Sequence, residues 1–330
     1  MGSTPTDTIC QMNHYGAHRI PFLFLIDFEM QQPHLFRWSE IDATRIRFTI
    51  NGVGHPTLPS PLPENIQFDA VPMPFERYQM AFQRVLREIQ AGNSYLLNLT
   101  FPTRLKTNLT LLDIFNHSQA PYKLWWRDRF VVFSPEIFVQ IYNGQIASYP
   151  MKGTIDADLP HARETILADE KELAEHVTIV DLIRNDLNRV AKRVRVEKFR
   201  YVEHLQTRQK NLLQVSSKIV GELPPDYPAH IGDVIFQLLP AGSISGAPKK
   251  KTVEIIRAAE QQSRGYYTGI FGYFDGRNLD SGVLIRYIEQ RQGQLFFRSG
   301  GGITHLSQVE AEYQELLDKI YVPIIRDPQS

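Results

Sequence analysis

Two short turn sequences between apolar runs constrain the fold of this chain more than any other feature. Asn143-Gly144 joins the strand-like runs Ile137–Tyr142 and Gln145–Ser148, and Asp275–Asn278 joins a second pair of such runs. Asn-Gly is typical of two-residue hairpins because both residues tolerate positive φ. Hairpins connect antiparallel neighbours, so the pattern predicts a mainly antiparallel sheet and argues against regular βαβ alternation.

Helical patterns lie between the strands at irregular intervals. Tyr78, Phe82, Val85 and Ile89 recur on one helical face, and Gly92 suits the end of that helix. Further helices are predicted at about 160–170, 170–189 and 307–321, with another beginning at Pro248. Additional strand-like runs lie at 21–30, 34–38, 45–50, 94–101, 130–133, 268–274 and 279–289.

The composition excludes several classes of protein. The 330 residues include 36 basic and 36 acidic side chains, so the formal net charge is zero and we expect no nucleic-acid partner that depends on overall basicity. The single cysteine, Cys10, excludes an intramolecular disulfide framework and a multi-cysteine zinc cluster. No apolar run reaches the roughly 18 residues of a membrane span, and the first residues lack the blocks of a signal peptide. We therefore predict a cytoplasmic protein without a membrane partner.

The chain has one clear internal boundary. The passage between Asn51 and Pro74 is rich in proline and glycine, which is typical of a long loop or a linker. It separates residues 1–73, which hold short strand-like runs, from residues 74–330, which hold the longer helices and hairpins.

Two predicted helices each carry a pair of carboxylates three residues apart. Glu172 and Glu175 form one pair, and Glu312 and Glu315 form the other. Residues at this spacing share a helix face, so each pair can direct its oxygens to one point. Four convergent carboxylates would suit Mg²⁺, which prefers hard oxygen ligands and completes its shell with water and an anionic substrate. The alternative is a pair of solvated helix faces.

A lysine and a glutamate on neighbouring predicted strands are candidates for acid–base or nucleophilic chemistry. Lys152 lies in PMKGT (150–154), and Glu136 lies in SPE (134–136), on the other side of the Asn-Gly turn. A lysine in apolar surroundings can lose its proton and become a nucleophile, whereas most lysines only solvate a surface. Glycine-rich SGGGIT (299–304) lets the backbone approach a ligand closely, or is a flexible turn. PAGSISGAPKKKT (240–252) fails the spacing of a nucleotide-binding loop.

The order of these motifs is more specific than any one of them. SPE, PMKGT, KELAEHVTIVDLIRNDL, GSISGAPK, RGYYTGIFGYF, LIR, GGGIT and EAEYQELLDK follow one another along about Phe75–Tyr321. In this order the chain resembles the chorismate-utilising enzyme family. The resemblance implies an α+β fold with stacked antiparallel β-sheets and outer helices. It also implies that residues 1–73 form a shortened N-terminal subdomain completing the sheet, and that residues 74–330 form the chorismate-binding catalytic domain.

The resemblance also implies a role for each site residue. Lys152 would be the nucleophile and Glu136 the acid that helps the 4-hydroxyl of chorismate to leave. Mg²⁺ would be held around Glu172, Glu175, Glu312 and Glu315. The positions that match substrate contacts of the family are Ser245, Tyr267, Arg286, Gly300, Gly301, Gly302 and Lys319.

The lysine of PMKGT distinguishes branches within the family. Anthranilate synthases and the isochorismate or salicylate synthases carry alanine there, whereas lysine is similar to aminodeoxychorismate synthase component I, which serves 4-aminobenzoate and folate synthesis. That resemblance implies amination of chorismate at C4 through a covalent Lys152 intermediate. Because the chain shows no separate amidotransferase region, ammonia is expected from solution or from a glutamine amidotransferase subunit.

Two positions depart from the family pattern. Leu96 stands where relatives have glutamine or, in isochorismate synthases, lysine, so no base for activating water is evident. Gln214 stands where many relatives have histidine, and a glutamine does not titrate near neutrality, which weighs against the pyruvate elimination that anthranilate formation requires. The alternatives that stay open are anthranilate synthase component I and a catalytically inert, chorismate-binding regulatory subunit.

Overall fold

The computed structural model describes residues 4–58, 61–206 and 211–324. The helices in these ranges are α1 (Pro5–Ala17), α2 (Phe75–Gln90), α3 (Leu111–His117), α4 (Ala162–Ala168), α5 (Glu170–Asn188), α6 (Ile231–Gln237), α7 (Gly242–Ser245), α8 (Lys249–Glu260) and α9 (Val309–Asp318). The strands are β1 (Phe22–Ile26), β2 (His34–Arg37), β3 (Ile46–Ile50), β4 (Val53–Gly54), β5 (Phe68–Val71), β6 (Leu96–Thr107), β7 (Tyr122–Trp126), β8 (Phe130–Ser134), β9 (Ile137–Tyr142), β10 (Gln145–Ser148), β11 (Met151–Asp156), β12 (Lys192–Gln206), β13 (Asn211–Glu222), β14 (Gly246–Ala247), β15 (Ile270–Phe274), β16 (Leu279–Val283), β17 (Tyr287–Arg291) and β18 (Gln294–Ile303).

The strands form two antiparallel sheets, each with nine strands within the described residues. The first sheet has the order β11-β13-β10-β9-β16-β15-β1-β2, with β12 also paired to β13. The second has the order β14-β6-β18-β17-β8-β7-β3-β4, with β5 also paired to β6. The hairpin predicted around Asn143-Gly144 is confirmed, because Gln145 pairs with Tyr142 and Ile146 with Ile141.

The sheets stack because central strands are apolar on both faces. Every residue of β1 is buried. Its odd-numbered side chains, Leu23 and Leu25, pack with Trp126, Phe130 and other residues of the second sheet. Its even-numbered side chains, from Phe22 to Ile26, pack towards α1 and α6 on the outer side. Successive side chains of a strand point to opposite faces, so one continuous apolar run serves two layers.

Helices cover the outer faces of both sheets. The apolar face of α2, which includes Tyr78 and Phe82, packs with Leu97 and Leu99 of β6 and with residues of α8 and α9. Buried residues of α5 and α6 belong to the cluster on the first sheet. The predicted α+β fold with stacked antiparallel sheets and outer helices is therefore confirmed. In the ranges that the structure describes, no helix combines the length and the apolar character needed to cross a membrane.

The strand predicted at 279–289 is wrong in one respect. The segment is two strands, β16 in the first sheet and β17 in the second, and the chain passes between the sheets at residues 284–286. Arg286 has φ of 52°, the left-handed region that few non-glycine residues adopt. A second crossing lies between β8 and β9, where Glu136 is found.

The N-terminal residues contribute to both sheets. β1 pairs with β15 in the first sheet, and β3 pairs with β7 in the second. β5 lies within the Pro/Gly-rich passage and pairs with β6. Strands from the two sides of residues 73 and 74 are therefore hydrogen-bonded to each other in both sheets. The division into two domains at this point stays a prediction.

Candidate active site

A cavity of about 480 Å³ lies where the chain crosses between the two sheets, and α5 and α9 supply residues to its wall. It brings together most of the residues that the sequence nominated. The predicted site residues that line it are Glu136, Lys152, Glu172, Glu175, Tyr267, Arg286, Gly300, Gly302, Glu312, Glu315 and Lys319.

Lys152 reaches the cavity from the edge strand β11. The pairing of β11 with β13 shifts between Lys152 and Thr154, and Gly153 has φ of 73° at this irregularity. A β-bulge redirects the side chains beside it. The Lys152 Nζ lies 3.1 Å from the Oε2 of Glu175 on α5. On the opposite wall, a Cβ built on Gly302 would lie 3.4 Å from this nitrogen. The amine therefore reaches β18 of the second sheet, whose residues Gly300–Gly302 we call the glycine strand.

The surroundings of Lys152 are acidic, not apolar. Burial disfavours the charged ammonium, but the negative charges of Glu175, Glu172 and Glu315 outweigh it, and the pKa of Lys152 lies above its ordinary value. Lys152 therefore lies among carboxylates and not in the apolar surroundings considered from the sequence, and its role as a nucleophile stays a prediction. A nucleophilic Lys152 has to transfer its proton before it reacts, and the carboxylate of Glu175 is within hydrogen-bond distance to accept it.

The two glutamate pairs lie on helices that face the same cavity. Asp169 caps α5 by accepting a hydrogen bond from the backbone N–H of Glu172, which holds the first pair at the start of the helix. On α9, Glu312 is buried and Glu315 is bound by Lys319. Lys319 also donates to the backbone carbonyl of Gly300 at 2.9 Å, so it ties α9 to β18.

Gly301 allows α9 to approach β18 closely. A Cβ at this position would lie 3.2 Å from the Oε2 of Glu312 and 3.3 Å from the Oε1 of Glu315. Both distances are shorter than ordinary van der Waals contacts, so a side chain here would displace the carboxylates. Gly301 thus contacts the acidic groups, whereas Gly300 and Gly302 line the cavity directly.

The donor set suits a hard cation, although it is not a preformed metal cage. Across residues 4–58, 61–206 and 211–324, no three histidine, cysteine or acidic side chains stand close enough together to hold a metal ion. All four glutamates face the same cavity, and their convergence on one metal ion stays a prediction. Mg²⁺ commonly takes only one or two carboxylates together with water and substrate oxygens, and the four glutamates of α5 and α9 line the cavity wall. The residues fit this ion, and its binding stays a prediction.

Glu136 lies between the sheets and is held by a serine that the sequence analysis did not select. The Ser243 hydroxyl donates a 2.5 Å hydrogen bond to the Oε1 of Glu136, and both residues line the cavity. Burial raises the pKa of Glu136, while the Ser243 hydrogen bond and the charges of Lys152 and Lys319 lower it. The net effect is a pKa above the ordinary value, which suits a carboxylic acid that donates a proton.

Ser245, which was predicted to contact substrate, lies outside the cavity wall. Its side chain is fully buried, and its hydroxyl donates to the carbonyl of Ala241 at 2.8 Å. A substrate contact by Ser245 stays a prediction, and the serine that lines the cavity is Ser243, two residues earlier in GSISGAPK. The short helix α7 turns these two serines in different directions, and only the tertiary structure shows which of them faces Glu136.

Basic and phenolic groups lie at another part of the wall. Arg286 donates to the carbonyl of Lys319 at 2.8 Å and stacks on Tyr321, and it lines the cavity beside Tyr267. Burial raises the pKa of Tyr267 to about 12, so the phenol stays protonated and can donate a hydrogen bond. Arg298, which sequence reasoning missed, is buried with its guanidinium 5.3 Å from the Tyr267 ring centroid. These groups suit an anionic substrate.

The two departures from the family pattern occupy different places. Gln214 lines the cavity. Leu96 is buried in the core cluster of the first sheet, and a Cβ on Gly302 would lie 3.1 Å from its Cδ1. An apolar side chain therefore lies behind Gly302.

The comparisons with known proteins identify the family. The family model described as chorismate binding enzyme matches residues 24–324. The chain belongs to the chorismate binding enzymes. The predicted resemblance is confirmed, and it extends further towards the N-terminus than the motifs alone indicated.

Among named relatives of this chorismate binding enzyme, a Haemophilus influenzae protein called uncharacterized PabA-like protein is 53% identical over 323 residues, 98% of each chain. Aminodeoxychorismate synthase component 1 of Escherichia coli is 34% identical over 270 residues, covering 74% of this chain and 56% of that protein. Anthranilate synthase component 1 of Aquifex aeolicus is 37% identical over 238 residues, covering 68% of this chain and 47% of that protein.

The solved structures agree on the fold. MenF, the menaquinone-specific isochorismate synthase of Escherichia coli, superposes with a TM-score of 0.70 at 16% identity, covering 95% of this chain and 80% of that one. At this identity the likeness concerns the architecture alone.

Proposed function

We propose that this chorismate binding enzyme is an aminodeoxychorismate synthase, which converts chorismate and ammonia to 4-amino-4-deoxychorismate. The observation that carries the proposal is the position of Lys152. Its amine projects into the cavity between Glu175 and the glycine strand, and Glu136 lines the same cavity. A lysine here gives the site a nucleophile in addition to an acid.

The charges of the wall suit a dicarboxylate such as chorismate. Arg286, Tyr267 and Lys319 offer donors to an anion, and Gly300 and Gly302 expose backbone to it. Glu172, Glu175, Glu312 and Glu315 would hold Mg²⁺. When bound, Mg²⁺ offsets the charge of the carboxylates and polarises the ring carboxylate of the substrate.

In the first step the Lys152 amine, having passed its proton to Glu175, forms a bond to C2 of the ring. Both ring double bonds shift, from C1=C2 to C1=C6 and from C5=C6 to C4=C5, and the bond from C4 to its hydroxyl oxygen breaks. Glu136 donates a proton to that oxygen, which leaves as water. The raised pKa of Glu136 supports this role, because a larger share of the carboxyl carries the proton.

In the second step ammonia forms a bond to C4. Both double bonds shift back to C5=C6 and C1=C2, the bond between C2 and Lys152 Nζ breaks, and the electron pair returns to the lysine. The new ammonium passes a proton to the carboxylate of Glu136, which restores the acid. Each displacement passes through both conjugated double bonds, which explains amination at C4 and leaves one water as the by-product.

Ammonia would come from solution or from a glutamine amidotransferase subunit. The name PabA-like borne by the Haemophilus relative is consistent with a system of this kind. A downstream lyase would complete 4-aminobenzoate for folate synthesis.

Anthranilate synthase component I is the second candidate, because relatives of that name are as similar as the aminodeoxychorismate synthases. Anthranilate formation requires loss of pyruvate, and Gln214 in the cavity wall cannot act as a titrating base. Product analysis distinguishes the two. Purified protein with chorismate, Mg²⁺ and ammonium should give aminodeoxychorismate, and anthranilate as the main product would refute the proposal.

Intact-protein mass spectrometry tests the covalent step. Protein mixed with chorismate and Mg²⁺ without ammonia should gain the mass of chorismate less one water, on the peptide that contains Lys152. A Lys152→Ala variant should gain none. Binding of chorismate without turnover at any ammonium concentration would instead favour the inert, regulatory subunit.

A further inference from the structure

The segment that connects α6 to α8 carries Ser243, and its position is set by buried contacts with α5. Lys249, the first residue of α8, forms an ion pair of 2.7 Å with Asp186 on α5. The same ammonium donates to the carbonyl of Leu238, at the beginning of the segment, at 2.7 Å. The side chains of Asp186 and Lys249 are only 12% and 13% exposed. One buried cation thus joins α5, the end of α6 and the start of α8.

Gly242 brings the segment directly against Asp186. A Cβ on Gly242 would lie 3.0 Å from the Oδ2 of Asp186 and 3.1 Å from the Cδ2 of Leu182. The residue after Gly242 is Ser243, whose hydroxyl is bound to Glu136. A water-sized cavity of about 30 Å³ is lined by these same groups, Asp186, Gly242, Ser243 and Glu136. The contacts form a continuous path from Asp186 to Glu136.

The path begins on the helix that presents two of the cavity carboxylates. Glu175 and Asp186 are eleven residues apart on α5, or about 16 Å along the axis of an α-helix. One end of α5 therefore presents carboxylates to the cavity, and the other end holds the segment that positions the acid. DLIRND and GAPK, two motifs to which the reaction itself assigns no role, are joined by this ion pair.

We propose that Asp186 and Lys249 are positioning residues that clamp the segment from Leu238 to Lys249, so that Ser243 holds Glu136 in the orientation for proton donation. The inference rests on the proposed function for its kinetic consequence, and its structural part stands independently. Neither residue of the pair touches the reacting atoms. Loss of the clamp should therefore slow the chemical step more than it weakens substrate binding.

Hydrogen–deuterium exchange of the unliganded full-length protein tests the structural part. In Asp186→Asn, peptides covering residues 238–247 should exchange at least about tenfold faster than in the wild type, while peptides of α2 remain unchanged. Asp181→Asn is the matched control, because Asp181 lies on the same helix and pairs with Arg184 at the surface. That variant should exchange as the wild type does. If residues 238–247 of Asp186→Asn exchange at the wild-type rate, the proposed clamp does not exist.

Steady-state kinetics tests the path to Glu136. Asp186→Asn should lower kcat for chorismate at least about tenfold and change KM less than about threefold. In a Ser243→Ala background the same substitution should lower kcat by less than about threefold, because both act through one hydrogen bond. An equal loss of kcat on Asp186→Asn in the wild type and in the Ser243→Ala background would overturn the proposal. Inactive wild-type protein would instead refute the proposed function, and the exchange experiment would still decide the clamp.

Gly242→Ala provides a second variant if Asp186→Asn folds poorly. It retains every charge and places a methyl group against Asp186. We expect faster exchange at residues 238–247 and a kcat loss similar to that of Asp186→Asn. A Gly242→Ala protein with wild-type exchange and kcat would show that the contact does not position Ser243.

Discussion

The Nζ of Lys152 lies 3.1 Å from the Oε2 of Glu175 inside the cavity. The two residues come from different elements, an edge strand and a helix, and their pairing stabilises the charged form of the lysine. Burial alone would favour the uncharged amine, but the carboxylates around it raise the pKa of Lys152. The amine is nucleophilic only after it loses its proton. Any cation that neutralises the surrounding carboxylates should lower the pKa of Lys152 and make this loss easier.

Removal of the amine should abolish amination. Lys152→Ala is expected to lower the rate of aminodeoxychorismate formation by about a thousandfold, because a nucleophile is lost. Lys152→Arg should lower it similarly, since a guanidinium keeps the charge without being nucleophilic. Lys218→Ala is the control, as Lys218 pairs with Glu197 outside this cavity. Coupled product assays measure the rates, and an active Lys152→Arg enzyme would limit the lysine to an electrostatic role.

The pH dependence of the reaction should report the hydrogen bond between Ser243 and Glu136. That bond lowers the pKa of Glu136, so Ser243→Ala should raise it. Because Glu136 acts as an acid in its protonated form, the alkaline limb of kcat should move to higher pH. Ser243→Thr keeps a hydroxyl and should retain the wild-type limb. A pH–rate profile of each variant measures this. An alkaline limb at the wild-type pH in Ser243→Ala would show that Ser243 does not influence the pKa of the acid.

Adjacent glycines of β18 should affect different parts of the reaction. Gly301→Ala places a methyl group against Glu312 and Glu315, so the Mg²⁺ concentration for half-maximal rate should rise about tenfold or more. Gly302→Ala places one against Leu96 and the Lys152 amine, so it should slow formation of the covalent adduct. Magnesium titrations and adduct mass spectrometry measure the two effects. Equal magnesium titrations for both variants would contradict the assignment of the acidic pairs.

The buried ion pair of Arg264 and Glu260 should be important for stability. Both side chains are almost fully buried, and Arg264 also donates to the carbonyls of Ile244 and Asn98. Arg264→Met leaves Glu260 without its cation and should reduce the free energy of unfolding by about 3–5 kcal/mol. Arg184→Met breaks an exposed pair and should change it by less than about 1 kcal/mol. Urea unfolding followed by circular dichroism compares the two variants.

Elements with strong local signals were predicted well. The face of α2 and the hairpin at Asn143-Gly144 depend on neighbours within a few residues, and both are confirmed. The helix α1 and the long pair β12 and β13 were not predicted. α1 begins with a capping box at Thr4, a local signal that could have revealed it. The break between β16 and β17 was missed because each half reads as strand, and only the stacking of two sheets requires a crossing there.

The site shows the same division. The order of motifs nominated Lys152, Glu136 and both glutamate pairs, and the structure places all of them on one cavity. The sequence nominated Ser245 and gave no reason to select Ser243 or Arg298. Those assignments depend on the direction in which a side chain points after the chain has packed.

The sequence by itself determined the sheet type, the main helix faces, the family and the set of chemical groups, because each is written in spacings of a few residues or in the order of motifs. The tertiary structure alone decided that Lys152 is surrounded by carboxylates, that Ser243 binds Glu136 across 107 positions of the chain, and that Asp186 meets Lys249. Charge and hydrogen bonding depend on distances between atoms, and distances between residues far apart in sequence exist only after the sheets and helices have packed.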